Sequence, residues 1–228
     1  MFITEIFKSI QGESTYAGLP CVFVRLTGCN LRCTWCDTAY AFHGGKKFSV
    51  TEVVERVEKL HGRDVETTKR LRLVEITGGE PLLQPETPEL ARQLLEEGYT
   101  VLIETSGERD VSVLPREVVK IVDVKCPDSG ESGKFNLANL SALDEKDEIK
   151  FVISSRRDYE FARAFVAEHK LTECVHEVLF SPVFADPEGK WSGMDAKALA
   201  EWILTDGLPV RLGLQIHKFI WDPAMHGV

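Results

Sequence analysis

Long apolar runs and an excess of basic residues are both missing from this sequence of 228 residues. No stretch approaches the roughly 20 apolar residues that a membrane-spanning helix requires. The opening residues, Met1 to Glu5, lack the charged and apolar regions of a signal peptide. The formal net charge of -9 argues against a broad surface that binds phosphate groups. We therefore expect a cytoplasmic protein that binds neither membranes nor nucleic acids.

Internal repeats, low-complexity tracts and a recognisable linker are also missing. The hydrophobic content of 43% is enough for one substantial core. We therefore expect one domain that spans residues 1–228.

Patterns typical of strands alternate with patterns typical of helices along the chain. Ser49, with Glu52 three residues later, has the form of a capping box, and Thr87 and Ser155 are expected to start two further helices. A fourth helix is predicted from Ala196 to Leu204. The predicted strands are Phe2 to Lys8, Cys21 to Leu26, Arg72 to Ile76, Thr100 to Glu104, Val118 to Val124, Glu148 to Ile153, Val178 to Phe180 and Val210 to Ile216.

This alternation predicts an α/β fold with a core of parallel strands and right-handed crossovers. It fits an incomplete, or partial, TIM-type β/α barrel better than a closed one, and a doubly wound open sheet is the alternative. Functional loops of such sheets follow the carboxyl ends of the strands. The segment Cys29 to Thr38 and the turn Thr77 to Pro81 both do so. The most polar loop, Asp128 to Lys134, is expected to be a mobile surface segment.

Three of the six cysteines, Cys29, Cys33 and Cys36, lie within one short segment. In a reducing compartment such a group is more often a metal or redox site than a disulfide framework. Three thiolates can hold three irons of a four-iron cluster and leave the fourth iron open to a chelating molecule. The other three cysteines, Cys21, Cys126 and Cys174, are scattered, and each is most simply a small apolar residue.

A structural zinc site is the competing hypothesis, because His43 could complete a Cys3His set. The spacing of these four residues alone does not separate zinc from a cluster. The chain has enough apolar residues to fold without structural zinc, and His43 stands beside the flexible pair Gly44-Gly45, so the cluster is favoured.

The spacing Cys-x3-Cys-x2-Cys, the aromatic Trp35 before the third cysteine and the turn Gly78-Gly79-Glu80-Pro81 together resemble the radical S-adenosylmethionine (SAM) superfamily. The resemblance implies a 4Fe-4S cluster on Cys29, Cys33 and Cys36 with SAM bound at the open iron. It further implies a partial barrel of the radical SAM type and a reducing electron donor such as flavodoxin or ferredoxin. Gly78 and Gly79 suit a close approach of backbone to the cofactor.

Five separated motifs, in order along the whole chain, are similar to the 7-carboxy-7-deazaguanine synthase family of the queuosine and deazapurine pathway. These motifs are Phe7 to Glu13 with Arg25, Cys33 to Thr38, Ile76 to Pro81, Ile103 to Gly107, and Leu214 to Lys218. The resemblance implies a lyase that converts 6-carboxy-5,6,7,8-tetrahydropterin to 7-carboxy-7-deazaguanine with loss of ammonia. It also implies a role for Mg²⁺ and a homodimer.

The same resemblance assigns roles to individual residues. Substrate would be bound by Ile10, Gln11, Gly12, Arg25 and Thr77, with Glu13, Glu104 and His217 as catalytic candidates close to it. SAM would be contacted by Trp35, Cys36, Asp37, Gly79, Lys125, Cys126, Pro127, Leu179, Phe180, Ser181 and Pro182, and Mg²⁺ by Thr38. The family often has Ser-Pro-Lys where this chain has Lys125-Cys126-Pro127, which is a departure from its pattern.

These roles agree with the chemistry of the side chains. Arg25 can bind a carboxylate through two parallel hydrogen bonds, and Gln11 and Glu13 can pair with the donors and acceptors of a pterin edge. Two other functions compete with this one. A glycyl-radical activating enzyme would share the cysteine spacing, and a Cys3His zinc-binding interaction domain would use His43.

Overall fold

A sheet of nine strands organises residues 1–62 and 72–228, the part of the chain that this computed structural model describes. The strands are β1 (Phe2–Ile10), β2 (Pro20–Leu26), β3 (Lys46–Lys47), β4 (Leu73–Gly78), β5 (Thr100–Thr105), β6 (Val119–Asp123), β7 (Glu148–Ile153), β8 (Glu177–Pro182) and β9 (Arg211–Leu212). The helices are α1 (Val50–His61), α2 (Thr87–Glu96), α3 (Arg156–His169), α4 (Leu171–Cys174), α5 (Ala196–Asp206) and α6 (His217–Ile220). Within these ranges no helix has the length and apolar character needed to cross a bilayer.

The strands follow one another across the sheet almost in chain order, β3-β1-β2-β4-β5-β6-β7-β8-β9. From β2 to β9 all neighbours are parallel, whereas β1 is antiparallel to both β2 and β3. A doubly wound sheet reverses its strand order at a switch point, and this sheet does not. The expectation of a partial β/α barrel is therefore confirmed, with β3 and β9 as edges that do not pair with each other in the described residues.

The two faces of the sheet differ in character. Val24, Ile76 and Ile103 alternate with inward residues and pack beneath the helices in an apolar core. The opposite face of the sheet carries Glu75 on β4 and Lys150 on β7. Successive side chains of a strand point to opposite faces, so each of these strands carries one apolar row and one row that can serve a site.

Helix starts were well predicted from the sequence. Ser49 and Glu52 form the complete capping box at the start of α1. The Ser155 hydroxyl accepts a hydrogen bond from the backbone of Asp158 at the start of α3. These starts depend on groups within one helical turn, which is why the local sequence is sufficient to locate them.

The predicted strand from Val210 to Ile216 is wrong over most of its length, because only Arg211–Leu212 pairs with β8. The backbone N–H of Ile216 instead donates to the carbonyl of Gly12 at 2.9 Å. This long-range hydrogen bond draws the segment across the carboxyl ends of the strands, where α6 begins.

The loop from Asp128 to Lys134, expected to be a mobile surface segment, is only partly exposed. Ser129 and Glu131 are buried. The Glu131 carboxylate accepts a hydrogen bond from the backbone of Arg32 at 2.6 Å, and Thr34 N donates to the Ser129 carbonyl at 2.9 Å. The polar residues of this loop serve as packing partners for the cysteine-bearing segment.

Candidate active site

One cavity at the carboxyl ends of the strands gathers most of the residues that the sequence singles out. Its lining includes Ile10, Gln11, Gly12, Glu13, Arg25, Cys29, Cys33, Trp35, Cys36, Asp37, Thr38, Thr77, Gly79, Glu104, Lys125, Ser181, Pro182 and His217. Residues from both ends of the chain and from its middle therefore face one space.

Four predicted SAM contacts are not among the lining residues: Cys126, Pro127, Leu179 and Phe180. Ser181 faces the cavity, so the preceding residue on β8 faces the helices. There, the Phe180 ring packs against the rings of Phe151 and Tyr159, with centroids 5.6 Å and 5.9 Å away. Cys126 is buried in the same apolar core. Consecutive residues of a strand face opposite sides of the sheet, so a contiguous sequence motif cannot place every one of its residues in the cavity. This explains why Phe180 is outside the cavity.

The three cysteines of the Cys29–Cys36 segment lie together on the cavity wall. Burial raises the pKa of each thiol, that of Cys33 to about 11, and the nearby ammonium of Lys125 opposes the shift. Partly buried thiolates are therefore stable here only with a strongly cationic partner. A cluster that coordinates all three sulfurs fits this set of donors.

The zinc alternative gains no support from the geometry. His43 is exposed and is not among the residues that line the cavity. In residues 1–62 and 72–228, no three His, Cys, Asp or Glu side chains converge closely enough to hold a single metal ion.

The glycine turn after β4 packs directly against the cysteine segment. A Cβ atom on Gly79 would lie 2.3 Å from the carbonyl oxygen of Gly28 and 2.6 Å from Cβ of Cys29. At Gly78, φ is +154° and a Cβ atom would lie 2.4 Å from the Leu26 carbonyl oxygen. The two glycines therefore allow the backbone of the turn to support the start of the cysteine segment.

Glu80, the acidic residue of the same turn, has a structural role. Its carboxylate is fully buried and accepts hydrogen bonds from the Thr105 hydroxyl at 2.8 Å and from the Ser106 backbone at 2.8 Å. The Ser106 hydroxyl adds a bond of 2.7 Å. A buried carboxylate needs such donors, and here they join the turn after β4 to the end of β5.

Lys150, which the sequence reasoning missed, is the central cation of the cavity. Its ammonium lies 3.0 Å from the Glu13 carboxylate and also bonds the carboxylate of Glu104. Burial alone would lower the pKa of Lys150, but these two carboxylates hold it well above the usual value. Asp123, which lies opposite Lys150 on β6, pairs with Lys125 at 2.7 Å. Charges of both signs thus alternate around the inner face of the sheet.

Glu13 is ionised in this arrangement. Burial would raise its pKa, but Lys150 and His217 lower it to about 2. The side-chain amide of Gln215 also donates to the Glu13 carboxylate at 2.8 Å. Glu13 is therefore held by groups from β7 and from the C-terminal segment.

His217 reaches the cavity because residue 12 is a glycine. A Cβ atom on Gly12 would lie 1.9 Å from Nδ1 of His217. Burial lowers the pKa of His217, although the Glu13 carboxylate opposes the shift. A largely neutral imidazole at neutral pH can either accept or donate a proton. Val228 lines the same cavity.

Arg25 and Thr38 also line the cavity. Arg25 Nε donates to Glu5 Oε1 at 2.8 Å, and the Tyr40 hydroxyl donates to the same oxygen at 2.8 Å. This pair is made through Nε, so a ligand carboxylate can take the terminal N–H groups. The Thr38 hydroxyl donates to Asp37 at 2.9 Å.

Comparison with known proteins agrees with this site. A profile of the Radical SAM superfamily matches residues 23–127. The chain is 55% identical to 7-carboxy-7-deazaguanine synthase of Koribacter versatilis, over 100% of both chains. The chain belongs to the 7-carboxy-7-deazaguanine synthase family. The corresponding synthase of Chlorobaculum tepidum is 41% identical over 99% of this chain and 96% of its own.

A solved structure shows the same fold. The crystal structure of QueE from Escherichia coli matches with a TM-score of 0.69 and 24% identity, over 93% of this chain and 92% of that chain. As a member of the 7-carboxy-7-deazaguanine synthase family, this protein is a radical SAM enzyme that uses a 4Fe-4S cluster and SAM. Membership favours neither the glycyl-radical activating enzyme nor the zinc-binding domain.

The sequence reasoning missed several residues of the cavity. Glu75, Asp123 and Lys150 belong to strands made mainly of apolar residues, and each lines the cavity. A charged residue inside such a strand is rarely buried without a partner. That signal could have identified them.

Proposed function

We propose that this protein converts 6-carboxy-5,6,7,8-tetrahydropterin to 7-carboxy-7-deazaguanine and releases ammonia. The observation that carries the proposal is that the cysteine segment, the N-terminal Gln11–Glu13 segment and His217 line one cavity in a chain 55% identical to a named synthase. The overall change removes one molecule of ammonia and requires no net oxidant or reductant.

Cys29, Cys33 and Cys36 would hold the cluster, and the chemistry that the cluster and SAM would supply when bound is a 5'-deoxyadenosyl radical for hydrogen abstraction. Trp35, Asp37 and Gly79 adjoin the cysteines on the cavity wall and are the proposed SAM contacts. Ser181 and Pro182 face the same space from β8.

Substrate recognition would use the polar groups across the cavity. Arg25 would bind the substrate carboxylate through its terminal N–H groups. Gln11 and Glu13 offer a donor and an ionised acceptor to the pterin edge. Ile10, Gly12 and Thr77 complete this wall.

Proton transfer would be served by three groups with different environments. Glu13 is ionised, whereas burial raises the pKa of Glu104 in spite of Lys150. His217 is largely neutral. A set of groups whose pKa values are pushed apart can take up and return protons during one reaction.

Mg²⁺ would be held by the Thr38 hydroxyl with oxygens from substrate and water. Mg²⁺ prefers hard oxygen ligands and commonly keeps several waters. Thr38 and Arg25 both line the cavity, where a substrate carboxylate could reach both the metal and the guanidinium.

We propose one domain over residues 1–228, a homodimer, a cytoplasmic location and a reducing electron donor such as flavodoxin or ferredoxin. Continuity of one sheet from β1 to β9 supports the single domain.

The deciding experiment is an anaerobic product assay. Protein with a reconstituted cluster receives SAM, Mg²⁺, reductant and the carboxytetrahydropterin, and mass spectrometry follows the deazaguanine. Product formation that depends on each component is expected. Failure to form product with an intact cluster would reject the proposed reaction.

Metal analysis and absorption spectra of anaerobically purified protein test the cofactor separately. Iron with visible charge-transfer bands is expected. Stoichiometric zinc without iron would instead support the interaction domain, and loss of hydrogen from a glycine of a partner protein would support an activase.

A further inference from the structure

Glu75 lies on the floor of the cavity and has no role in the proposal above. It stands at an inward position of β4, is 2% exposed, and lines the cavity beside Thr77. Its carboxyl group accepts a hydrogen bond from Nε2 of Gln11. A buried carboxyl group at a ligand site must either be neutralised or serve that site.

Two hydrogen bonds, one with the Glu13 backbone and one with Glu75, fix the orientation of the Gln11 amide. The Gln11 oxygen accepts a hydrogen bond from the backbone N–H of Glu13. Its nitrogen therefore faces Glu75, and one of the two N–H groups is used there. The second N–H remains for a ligand, so the Glu13 backbone and Glu75 together determine which end of the amide the substrate meets.

Charge distinguishes Glu75 from its neighbours. Glu13 and Glu104 share the ammonium of Lys150, whereas Glu75, among the described residues, bonds only to a neutral amide. Burial and the negative charge of Glu104 raise the pKa of Glu75 to about 8, with Glu13 adding to the effect and Lys150 opposing it.

Cys21 on β2 is another titratable group close to Glu75. Burial and Glu75 raise the pKa of the Cys21 thiol far above the usual value. Of the three carboxyl groups near Lys150, only Glu75 is not bonded to the ammonium among the described residues, and this arrangement favours its neutral form.

We propose that Glu75 is a positioning residue of the substrate site, an uncharged carboxylic acid that holds the Gln11 amide with its free N–H toward the substrate. An ionised Glu75 would add a third negative charge beside Lys150 and compete for the cation that holds Glu13 and Glu104. The positioning role rests on the proposed function, whereas the protonation of Glu75 does not.

Kinetic comparison of Glu75→Gln with Glu75→Met tests the role. Gln keeps an uncharged oxygen that can accept the bond from Gln11, so KM should stay within about threefold of wild type, and KM should rise about tenfold in the Met variant. Activity of wild type should fall as pH rises through about 8, and Glu75→Gln should lack that component. An unchanged KM in Glu75→Met, or the same loss at high pH in Glu75→Gln, overturns the proposal.

Glu148→Met is the matched control for Glu75→Met. Glu148 is another buried carboxyl group on the same sheet, but it bonds Thr15 and is not among the residues that line the cavity. Its replacement should leave KM and the pH profile unchanged. An equal rise in KM would show a general effect of altered buried charge and would contradict the assignment to Glu75.

Infrared difference spectroscopy tests the protonation without turnover. In cluster-loaded protein without substrate, the carbonyl stretch of a protonated carboxylic acid should be present at neutral pH and absent in Glu75→Gln. It should fade in wild type as pH rises through about 8. No difference between the two spectra would overturn the proposal even if the product assay succeeds, and a difference would stand even if that assay fails.

Discussion

Nζ of Lys218 lies 2.6 Å from Oδ2 of Asp37, although the two residues are 181 positions apart. Asp37 directly follows the third cysteine, and Lys218 belongs to α6. Burial would raise the pKa of Asp37, but Lys218 holds it well below the usual value. The C-terminal segment is thereby fastened to the cysteine segment at the opening of the cavity.

Replacement of this lysine should weaken SAM binding without loss of the cluster. A partly exposed ion pair contributes about 1 kcal/mol or less, so Lys218→Met should raise the dissociation constant for SAM by about fivefold at most. Binding to cluster-loaded protein can be measured by equilibrium dialysis. Lys190→Met, which breaks an exposed pair with Glu188, is the control, and a parallel loss of iron in Lys218→Met would contradict the prediction.

Removal of the central ammonium should destabilise the protein. Lys150→Met leaves Glu13 and Glu104 without their shared cation, and loss of one partner of a buried pair costs about 3 kcal/mol or more. The loss in free energy of unfolding, measured in urea, should be greater at high pH because the carboxylates can then no longer take up protons.

Lys120→Met is the matched control for that variant. Lys120 is also buried and pairs with Asp147 at 3.2 Å, but it is not among the residues that line the cavity. Both variants should lose stability, and only Lys150→Met should lose substrate binding. Equal substrate affinity in the two variants would remove Lys150 from the site.

A methyl group at Gly79 should prevent cluster assembly. It would collide with the backbone of Gly28 and displace Cys29, so Gly79→Ala should hold little iron after reconstitution. Gly189→Ala, at an open position with φ of +78°, should cost about 1 kcal/mol of stability and keep its iron. Normal iron content in Gly79→Ala would disprove the packing argument.

The cysteines should divide into two groups. Cys29→Ala, Cys33→Ala and Cys36→Ala should each abolish formation of 5'-deoxyadenosine, because a cluster ligand is lost. Cys174→Ala should leave it nearly intact, since Cys174 is exposed and is not among the cavity residues. The product is measured by chromatography, and equal loss in all four variants would reject the division.

Acid should remove the contribution of Glu13 to stability. Its pKa is about 2 in the folded protein against an ordinary 4.5, so the ionised form stabilises the fold above the ordinary value, and this is lost as pH falls toward 2. The free energy of unfolding of wild type relative to Glu13→Gln should therefore decrease over that range. A difference that does not vary with pH would be inconsistent with the ion pair to Lys150.

Local signals account for the features that the sequence predicted well. The capping box at Ser49, the cap at Ser155 and the alternation of strands with helices depend on residues close together in the chain. The strand predicted up to Ile216 was wrong because a hydrogen bond to Gly12, more than 200 residues away, competes with sheet pairing. No local pattern contains that partner.

The sequence by itself determined the cysteine spacing, the glycine turn and the order of strands and helices, since each is a property of neighbouring residues. Only the tertiary structure decided which side chains share the cavity. Phe180 turns toward the helices, whereas Glu75 and Lys150 turn inward, because alternate residues of a strand face opposite sides and burial selects the apolar row for the core. The charged groups around Lys150 come from segments that are far apart in the chain. Their contacts exist only after the sheet has formed.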